Sequence, residues 1–406
     1  MKKNLLQINS VANAGSTGRI AEDIGNLTIE NGWISFIAYG RNANPSKSSL
    51  IRIGTNWDVY KHVLKTRLLD QHGFGSINAT LKFIGQIEQI KPDIIHLHNI
   101  HGYYLNIELL FRYLKTKSIP VVWTLHDCWP FTGHCSYFSY IGCEKWKTEC
   151  NNCPQIHEYP GSFFIDRSKP NFRNKKEIFT SIKNITLVPV SKWLGDLANQ
   201  SFLGGSPILV INNGVDLQTF EPKNTSDLKN KIGVSKKFII LGVAHIWTER
   251  KGLADFIKLS TYLKDDEVII LIGLKKNVIE KLPFNVIGFE KTESVKELAE
   301  FYSLADVFIN PTHEDNFPTT NLESLACATP VITYKTGGSP EAIDNNTGFV
   351  VEQGDLQGVY QSIQTIKVKG KSSYSVACRD RAVRLFNKND RYMDYLKLYE
   401  SLLNQL

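Results

Sequence analysis

The chain contains 406 residues with a formal net charge of +7, and 42% of them are hydrophobic while 21% are charged. This composition excludes a disordered chain, and the length allows two domains that each bury a core. No apolar run approaches the roughly 18 residues needed to cross a bilayer, and the start of the chain does not resemble a signal peptide, so we expect a cytoplasmic protein. The modest positive charge favours phosphate ligands or an anionic membrane surface, and no nucleic-acid-binding module is visible.

Strand patterns alternate with helical patterns along the chain, which predicts α/β layers with parallel sheets. Leu5 to Val11 is predicted as a buried strand, followed by a glycine loop and a helix that reaches about Glu30. Gly15 and Gly18 lie in this loop, where backbone N–H groups can approach a phosphate. The loop lacks a full Gly-x-Gly-x-x-Gly pattern and the Walker lysine, so it supports neither a dinucleotide enzyme nor a P-loop NTPase.

Further strands are predicted over Trp33 to Gly40 and Leu50 to Gly54, and a helix is predicted over residues 56–70. The helix combines apolar and basic side chains, including Val59, Lys61, Val63, Leu64, Lys65, Arg67 and Leu68. An ordinary surface helix is the simpler interpretation. The alternative is a basic face that contacts an anionic membrane or a lipid pyrophosphate.

Two later strands end in histidine-rich sequence. The strand and loop from Lys91 to Tyr103 contain three histidines, and the strand from Val121 ends at His126 and Asp127. Ligand contacts concentrate at strand ends in α/β sheets, so His126 could bind a sugar hydroxyl or a phosphate. A metal ion is the weaker interpretation for the earlier histidines, since no acidic partner lies near them in sequence.

Residues 128–155 form a cysteine-rich insertion with four closely spaced thiols, Cys135, Cys143, Cys150 and Cys153. Their spacing could provide a structural zinc site that stiffens an irregular loop. Reduced or partly disulfide-linked thiols are the alternative.

The chain changes character near Leu217. The predicted strands over Asn184 to Ser191 and Ile208 to Ile211 end the first half, and a polar passage leads to a new buried strand from Phe238. We therefore predict domains over residues 1–216 and 217–388, followed by a helical segment at 389–406.

A loop after the Phe238 strand contains Arg250, Lys251 and Gly252 and leads into a helix. Two cations between a strand end and a helix start are well placed to neutralise a diphosphate. The alternative is a charge pair on the surface.

The segment from Pro311 to Pro330 lies between two apolar strand patterns, so it is predicted as a loop followed by a helix. Pro318 suits the first helical position, and Asp315 and Glu323 flank the helix start. The unpaired N–H groups of such a start attract phosphate or sugar oxygens, while carboxylates accept hydrogen bonds from hydroxyls. A capped, solvated helix with incidental acids is the alternative.

The spacing Asp315-x7-Glu323 resembles the Glu-x7-Glu signature of retaining glycosyltransferases of family 4, which have the GT-B fold. Asp315 is one methylene shorter than the usual Glu, and Glu314 is the alternative first acid although its spacing to Glu323 is one residue too long. Residues 91–155 and 305–342 carry the resemblance most specifically. They look like the colanic acid and capsular polysaccharide glycosyltransferases.

The resemblance implies roles for several residues. Asp315 would contact the donor sugar, Glu323 the ribose, and His126 would line the donor site. Lys251 matches the lysine that neutralises the leaving diphosphate, whereas Ala244-His245 replaces the usual Gly-Arg, so Arg250 is the substitute. Further donor-binding positions implied by the resemblance are Gly15, Gly18, Glu314, Asn316, Phe317, Pro318, Thr319, Phe289, Gly338 and Glu341.

The family implies two Rossmann-like domains that face a central cleft, with residues 389–406 crossing back to the first domain. It implies transfer of a hexose from a UDP- or GDP-sugar to a saccharide or undecaprenyl-linked acceptor in bacterial capsule, exopolysaccharide or cell-surface glycan synthesis. No catalytic metal or other cofactor would be required, and contact with the inner face of the membrane is expected.

Two other functions stay open. A nucleotide-sugar-binding protein without turnover is suggested by the Asp at the first acid and by the missing arginine. A GT-B epimerase would instead interconvert free nucleotide sugars without an acceptor.

Overall fold

A computed structural model describes residues 2–405 of the chain. The chain forms two compact units: the N-terminal unit comprises residues 2–212 and 392–405, and the C-terminal unit is Asn213–Arg391. Each unit contains one six-stranded sheet in which all neighbouring strands pair in parallel. The predicted α/β class, with two Rossmann-like domains, is confirmed.

The sheet of the N-terminal unit has the strand order β3-β2-β1-β4-β5-β6. Its strands are β1 (Asn4–Asn9), β2 (Ile34–Tyr39), β3 (Ser49–Arg52), β4 (Ile94–Leu97), β5 (Val121–Leu125) and β6 (Ile185–Pro189). Its helices are α1 (Gly15–Glu30), α2 (Asn56–Leu69), α3 (Ile77–Ile90), α4 (Ile107–Lys115), α5 (Ser168–Phe179) and α6 (Lys192–Gln200). Because parallel strands need crossover connections, helices separate most of the strands in sequence.

The sheet of the C-terminal unit has the strand order β12-β11-β10-β7-β8-β9. Its strands are β7 (Phe238–Val243), β8 (Glu267–Ile272), β9 (Val286–Phe289), β10 (Val307–Asn310), β11 (Val331–Tyr334) and β12 (Gly348–Val351). Its helices are α7 (Ser226–Lys231), α8 (Leu253–Leu259), α9 (Lys276–Ile279), α10 (Val295–Leu304), α11 (Thr319–Ala326), α12 (Leu356–Lys369) and α13 (Ser372–Phe386).

The final helix, α14 (Lys388–Leu403), completes the core of the N-terminal unit. Tyr392, Tyr395 and Tyr399 follow one another at helical spacing and are buried with Leu5 and Ile94 of the sheet. The phenol of Tyr399 hydrogen-bonds Nδ1 of His96 at 2.6 Å. Burying tyrosine in an apolar core is favourable only when its hydroxyl finds a partner, which β4 provides here.

Two local predictions were wrong in detail. Ile208 to Ile211 is not a strand but forms a single parallel bridge, Ile208 with Leu187, because Pro189 has no N–H with which to continue the ladder. Pro318 precedes helix α11 instead of occupying its first position, because its ψ of 118° is extended.

The cysteine-rich insertion is stabilised by its own aromatic cluster. The ring of Trp146 stacks on Phe138 with centroids 4.9 Å apart and also contacts Phe131 at 5.5 Å. The seven cysteines all lie within the described residues and form no disulfide bond. Among residues 2–405, no group of three or more His, Cys, Asp or Glu side chains is arranged to hold a metal ion, so the structure does not support the zinc expectation for Cys135, Cys143, Cys150 and Cys153.

In the described part of the chain, no helix combines the length and the apolar character needed to span a bilayer.

Candidate functional site

The sheet of the C-terminal unit reverses its winding between β7 and β10. From β7 the chain builds outward through β8 and β9, and it then returns to place β10 on the other side of β7. Loops that leave the carboxyl ends of two such strands diverge and create a crevice, which is where open α/β sheets bind ligands. The loop after β7 contains Arg250 and Lys251, and the loop after β10 contains Asp315.

These two loops contact each other through charged groups. Lys251 Nζ donates a hydrogen bond to the carboxylate of Asp315, and the two side chains form a partly buried ion pair. Arg250 Nη1 donates to the carbonyl oxygen of Glu314 at 2.9 Å, and the His313 N–H donates to the Arg250 carbonyl at 2.8 Å. The structure therefore brings together Arg250, Lys251, Glu314 and Asp315, which the sequence separates by more than sixty positions.

Glycines in the turns after β7 and β11 allow their backbones to approach the loop after β10 closely. Gly337 has φ +56°, and a Cβ atom there would lie 1.8 Å from the carbonyl oxygen of Asp315. Gly252 has φ +77°, and its Cβ would lie 2.2 Å from the carbonyl oxygen of Pro311. The neighbouring Gly338 N–H donates to the Asp315 carbonyl at 3.2 Å. Both glycines are thus needed for conformation and for space.

Glu323 is the fifth residue of α11, the helix that follows the loop with Asp315. Its carboxylate accepts a 2.9 Å hydrogen bond from the phenol of Tyr302, a buried residue of α10. Burial and the adjacent carboxylate raise the pKa of Tyr302, so the phenol stays protonated and donates. Tyr302 orients Glu323, a role that the sequence pattern of an apolar helix face did not reveal.

A second set of contacts that the sequence analysis did not predict joins the Asp315 loop to α8. Nε2 of His313 lies 2.8 Å from the Asp255 carboxylate, which also accepts a 3.2 Å hydrogen bond from Tyr334. The Gln353 amide lies 3.0 Å from the other ring nitrogen of His313. These residues are far apart in the sequence, so no local pattern indicates that they meet. An Asp in the first turn of a helix that follows a strand could still have indicated a position near the site.

The remaining predicted residues of the C-terminal unit differ in burial and in the element that carries them. Glu314, Asn316, Phe317 and Pro318 are buried, whereas Asp315 and Thr319 are partly exposed. Phe289 is the last residue of β9, and its ring packs on Phe301 with centroids 5.0 Å apart. Glu341 lies in the short 3₁₀ turn that follows Gly338.

The N-terminal unit holds the other predicted residues, at its own reversal point between β1 and β4. Gly15 opens α1 with φ +61°, and a Cβ atom at Gly18 would lie 3.0 Å from the Val11 side chain. His126 follows β5, and its Nε2 lies 3.2 Å from Nδ1 of His98. The Asp127 carboxylate accepts a 2.8 Å hydrogen bond from Nε2 of His101, and both of these side chains are buried.

His101, the partner of Asp127, was not among the predicted site residues. The pKa of Asp127 is lowered despite its burial, because His101 and the Trp129 N–H, 2.9 Å away, stabilise the carboxylate. Adjacent strand-end residues thus point to two different buried histidines, His98 and His101.

Two family models match the chain. Residues 37–219 match the model described as Glycosyltransferase Family 4, and residues 237–367 match the model described as Glycosyl transferases group 1. Together the two matches extend over most of both units.

Curated relatives agree with the family models. The chain is 25% identical to the putative colanic acid biosynthesis glycosyl transferase WcaC of Escherichia coli K12, over 98% of this chain and 100% of that protein. It is also 25% identical to the alpha-monoglucosyldiacylglycerol synthase of Acholeplasma laidlawii, over 70% of this chain and 67% of that protein.

Solved structures share the fold at low identity. The sucrose-phosphate synthase of Thermosynechococcus elongatus superposes with a TM-score of 0.73 at 16% identity, with all of both chains covered. HepE of Anabaena, solved in complex with UDP, gives a TM-score of 0.67 at 15% identity, over 99% of this chain and 100% of that chain.

The two parallel sheets, the charged crevice and these neighbours define a glycosyltransferase of the GT-B fold class, as predicted. The resemblance to the colanic acid enzymes is confirmed as well. Each of the two units therefore carries a match to a glycosyltransferase family model, Family 4 in the first and group 1 in the second.

Proposed function

We propose that the protein is a retaining glycosyltransferase that transfers a hexose from a UDP- or GDP-sugar to a saccharide or undecaprenyl-linked acceptor. The observation that carries the proposal is the contact between Lys251 and Asp315 at the reversal point of the C-terminal sheet. An ammonium group has three N–H donors, so Lys251 can hold the Asp315 carboxylate and a diphosphate oxygen at the same time.

The chemistry follows from the charges that develop as the sugar leaves. The nucleoside diphosphate gains negative charge, which Lys251, Arg250 and the N–H groups at the start of α11 would stabilise without reorganising. Arg250 is held in the crevice by the Glu314 carbonyl, which supports it as the substitute for the usual arginine. Asp315 would hold the donor sugar, and Glu323, oriented by Tyr302, would accept hydrogen bonds from the ribose.

Retention is assigned to attack of the acceptor on the face that the diphosphate leaves, with a departing phosphate oxygen taking the acceptor proton. The cations of the crevice suit this mechanism, because they hold the diphosphate beside the reacting carbon. Structural neighbours solved with UDP and UDP-glucose support a nucleotide-sugar donor. Relatives named as a putative colanic acid biosynthesis glycosyl transferase and as an alpha-monoglucosyldiacylglycerol synthase support a role in bacterial capsule, exopolysaccharide or cell-surface glycan synthesis.

The experiment is a transfer assay with radiolabelled donors, selected beforehand by thermal shift with a panel of nucleotide sugars. Transfer with the anomeric configuration kept is the expected result, and Asp315→Asn should lower its rate. Saturable binding without transfer would favour the non-catalytic binding protein. Interconversion of donors without acceptor would favour the epimerase.

We also propose that helix α2 places the protein at the inner face of the membrane. The outward face of α2 is apolar: Trp57 is 74% exposed and Leu64 is 58% exposed, with Tyr60 and Leu68 at the same helical spacing. The inward face is polar, since His62 and Thr66 are the buried residues of this helix. A helix with its apolar residues turned to solvent has the surface that an interface with lipid requires.

The neighbourhood of α2 is basic and aromatic. Lys61 is exposed beside the apolar stripe, and the Arg67 guanidinium lies 5.7 Å from the ring centroid of Phe163. Phe164 follows and is 84% exposed. Lysine and arginine near apolar side chains match anionic lipid headgroups above acyl chains.

Sedimentation with phosphatidylglycerol vesicles tests the membrane surface. Wild type should cosediment, and the double variant Trp57→Asp, Leu64→Asp should not. Phe284→Asp, which replaces a 97% exposed aromatic residue of the C-terminal unit, is the matched control and should bind as wild type does. Equal binding by wild type and the double variant would refute this surface.

A further inference from the structure

Four cysteines of the insertion surround one small cavity in the N-terminal unit. Cys135, Cys143, Cys150 and Cys153 line this cavity together with His134. In the described structure these side chains form no disulfide bond and are not arranged to hold a metal ion. The proposed sugar transfer gives this cluster of reduced thiols no role.

Two of the four thiols contact each other directly. The Cys135 thiol donates a hydrogen bond to the sulfur of Cys153, although residues 136–152 lie between them in the sequence. A disulfide forms when one sulfur attacks another, so a direct contact between two sulfur atoms is the geometry from which the bond can form. Cys135 and Cys153 are therefore the pair that is placed to be linked.

The surroundings make Cys153 the more reactive member of the pair. The hydrogen bond from Cys135 lowers the pKa of Cys153 by more than burial raises it, and the positive charge of His134 lowers it further. Burial opposes that charge, but the Asp70 carboxylate, 2.5 Å from Nδ1 of His134, raises the pKa of His134. The Asp166 carboxylate, which accepts a 2.6 Å hydrogen bond from the Cys153 N–H, acts on Cys153 in the opposite direction. Cys153 is only partly buried, so a reagent in solvent can reach it.

Cys150 and Cys135 are held as protonated thiols. The Cys150 sulfur accepts a 3.2 Å hydrogen bond from the Gly133 N–H, but burial raises the pKa of Cys150 to about 11. The pKa of Cys135 is raised because its proton is shared with Cys153 and because the side chain is buried. Since the thiolate is the attacking form, Cys153 reacts first among these three thiols.

We propose that Cys153 and Cys135 form a redox-active dithiol, in which Cys153 attacks a small-molecule disulfide such as oxidised glutathione and Cys135 then resolves the mixed disulfide. In the first step the Cys153 sulfur bonds to one sulfur of the reagent, the S–S bond of the reagent breaks, and one thiolate leaves. In the second step the Cys135 sulfur bonds to the Cys153 sulfur and displaces the other thiolate. The two protein thiols lose two electrons and two protons, and the reagent takes up both to become two thiols. This inference does not rest on the proposed function.

The disulfide would close the irregular part of the insertion on itself. Between the two cysteines, the 3₁₀ turn Lys145–Lys147 is the regular element that the structure describes, and Trp146 in this turn stacks on Phe138 at 4.9 Å. A covalent link across such a segment removes conformations from the unfolded chain. The oxidised protein should therefore unfold at a higher temperature than the reduced protein.

The first test identifies the linked cysteines. The purified full chain is equilibrated with oxidised and reduced glutathione, its remaining thiols are alkylated, and its peptides are analysed by mass spectrometry. Wild type should form an internal disulfide between Cys135 and Cys153. Cys135→Ser should stop at one glutathione bound to Cys153, and Cys153→Ser should leave Cys135 reduced. A different pairing in wild type, or full reduction at every glutathione ratio, would overturn the proposal whatever the variants do.

Cys143→Ser is the matched control, because Cys143 lines the same cavity. This variant should still form the disulfide between Cys135 and Cys153. Metal analysis of wild type purified without chelators accompanies the test, and we expect no bound zinc. One zinc ion per chain that is released when these thiols are oxidised would show a metal site and would overturn the dithiol.

The second test measures the reactivity of Cys153. Iodoacetamide should alkylate Cys153 about 10-fold more slowly in Cys135→Ala than in wild type, the effect of one pKa unit on the thiolate fraction. Cys143→Ala should leave the rate unchanged. Equal rates in wild type and Cys135→Ala would show that the contact between the two thiols does not activate Cys153, and would overturn its assignment as the attacking thiol.

Discussion

Lys251 is the residue on which the proposed chemistry depends most. It pairs with Asp315 in the crevice between the β7 and β10 loops. Arg250 lies beside it but is oriented by a backbone carbonyl, so its guanidinium is constrained in position while the lysine ammonium keeps more directions for its donors.

Lys251→Met should lower kcat about 10²-fold, because one preorganised donor to the leaving diphosphate is lost. Steady-state kinetics of transfer measures the effect. Lys335→Met is the control, since Lys335 also pairs with a carboxylate, Glu352 at 2.9 Å, but on the exposed surface. A Lys251→Met enzyme with the full rate would remove Lys251 from the proposed mechanism.

Tyr302→Phe should lower the free energy of unfolding by about 1 kcal/mol, because Glu323 loses a hydrogen-bond donor in a partly buried place. It should also weaken binding of the nucleoside diphosphate, since the Glu323 carboxylate is no longer oriented. Urea denaturation and calorimetry measure the two effects.

Tyr374→Phe provides the comparison for Tyr302→Phe. The Tyr374 hydroxyl is buried without a hydrogen-bond partner among the described residues. Its removal should therefore leave the free energy of unfolding unchanged or raise it slightly. Similar losses in both variants would mean that the Glu323 contact contributes no stability.

At the scale of elements, the geometry of the site depends on how closely the loops after β7, β10 and β11 pack. The turn after β11 presses against the Asp315 loop at Gly337, and the turn after β7 presses against Pro311 at Gly252. These contacts leave no room for a Cβ atom at either glycine.

Gly337→Ala should destabilise the protein by more than Gly354→Ala and should also lower transfer activity. Both glycines have positive φ, +56° and +81°, so each variant carries the left-handed penalty of about 1 kcal/mol. Only at Gly337 does the added Cβ meet the Asp315 carbonyl, whereas nothing lies within 4 Å at Gly354. Thermal unfolding of the two variants isolates the steric contribution, and equal shifts would contradict it.

At the scale of the whole molecule, the N-terminal unit contains several buried histidines that stay neutral. Burial lowers the pKa of His62 to about 3 and of His126 to about 4, and it lowers those of His72, His96 and His98 as well. In the unfolded chain these side chains regain a pKa near 6.5. His134 differs from these five, since its contact with Asp70 raises its pKa.

The free energy of unfolding should therefore fall as the pH decreases below about 6.5, by about 1.4 kcal/mol per pH unit for each histidine that stays neutral when folded. The sign follows because the unfolded state binds more protons in this range. Urea denaturation followed by tryptophan fluorescence reports mainly this unit, which contains six of the seven tryptophans. Gln cannot titrate, so His62→Gln should reduce the pH dependence of the free energy of unfolding by the contribution of one histidine. An unchanged pH dependence would contradict a neutral His62 in the folded protein.

The sequence by itself determined the α/β class, most strand positions and the resemblance to glycosyltransferases. Alternating apolar strands and helices report burial directly, and the Asp315-x7-Glu323 spacing lies within one loop and helix, so local pattern suffices to find it. The same kind of local pattern wrongly predicted a strand at Ile208 to Ile211. There the missing N–H of Pro189 on the neighbouring strand prevents a continuous ladder of backbone hydrogen bonds.

The tertiary structure alone decided how the functional side chains are oriented. In the first unit His98 and His126 are 28 positions apart and meet only because β4 and β5 are neighbours in the sheet. In the second unit Lys251 reaches Asp315 because β7 and β10 are neighbours, and Tyr302 reaches Glu323 because helices α10 and α11 pack together. A hydrogen bond depends on the position of two atoms in space, and strand order, which no local pattern encodes, sets those positions.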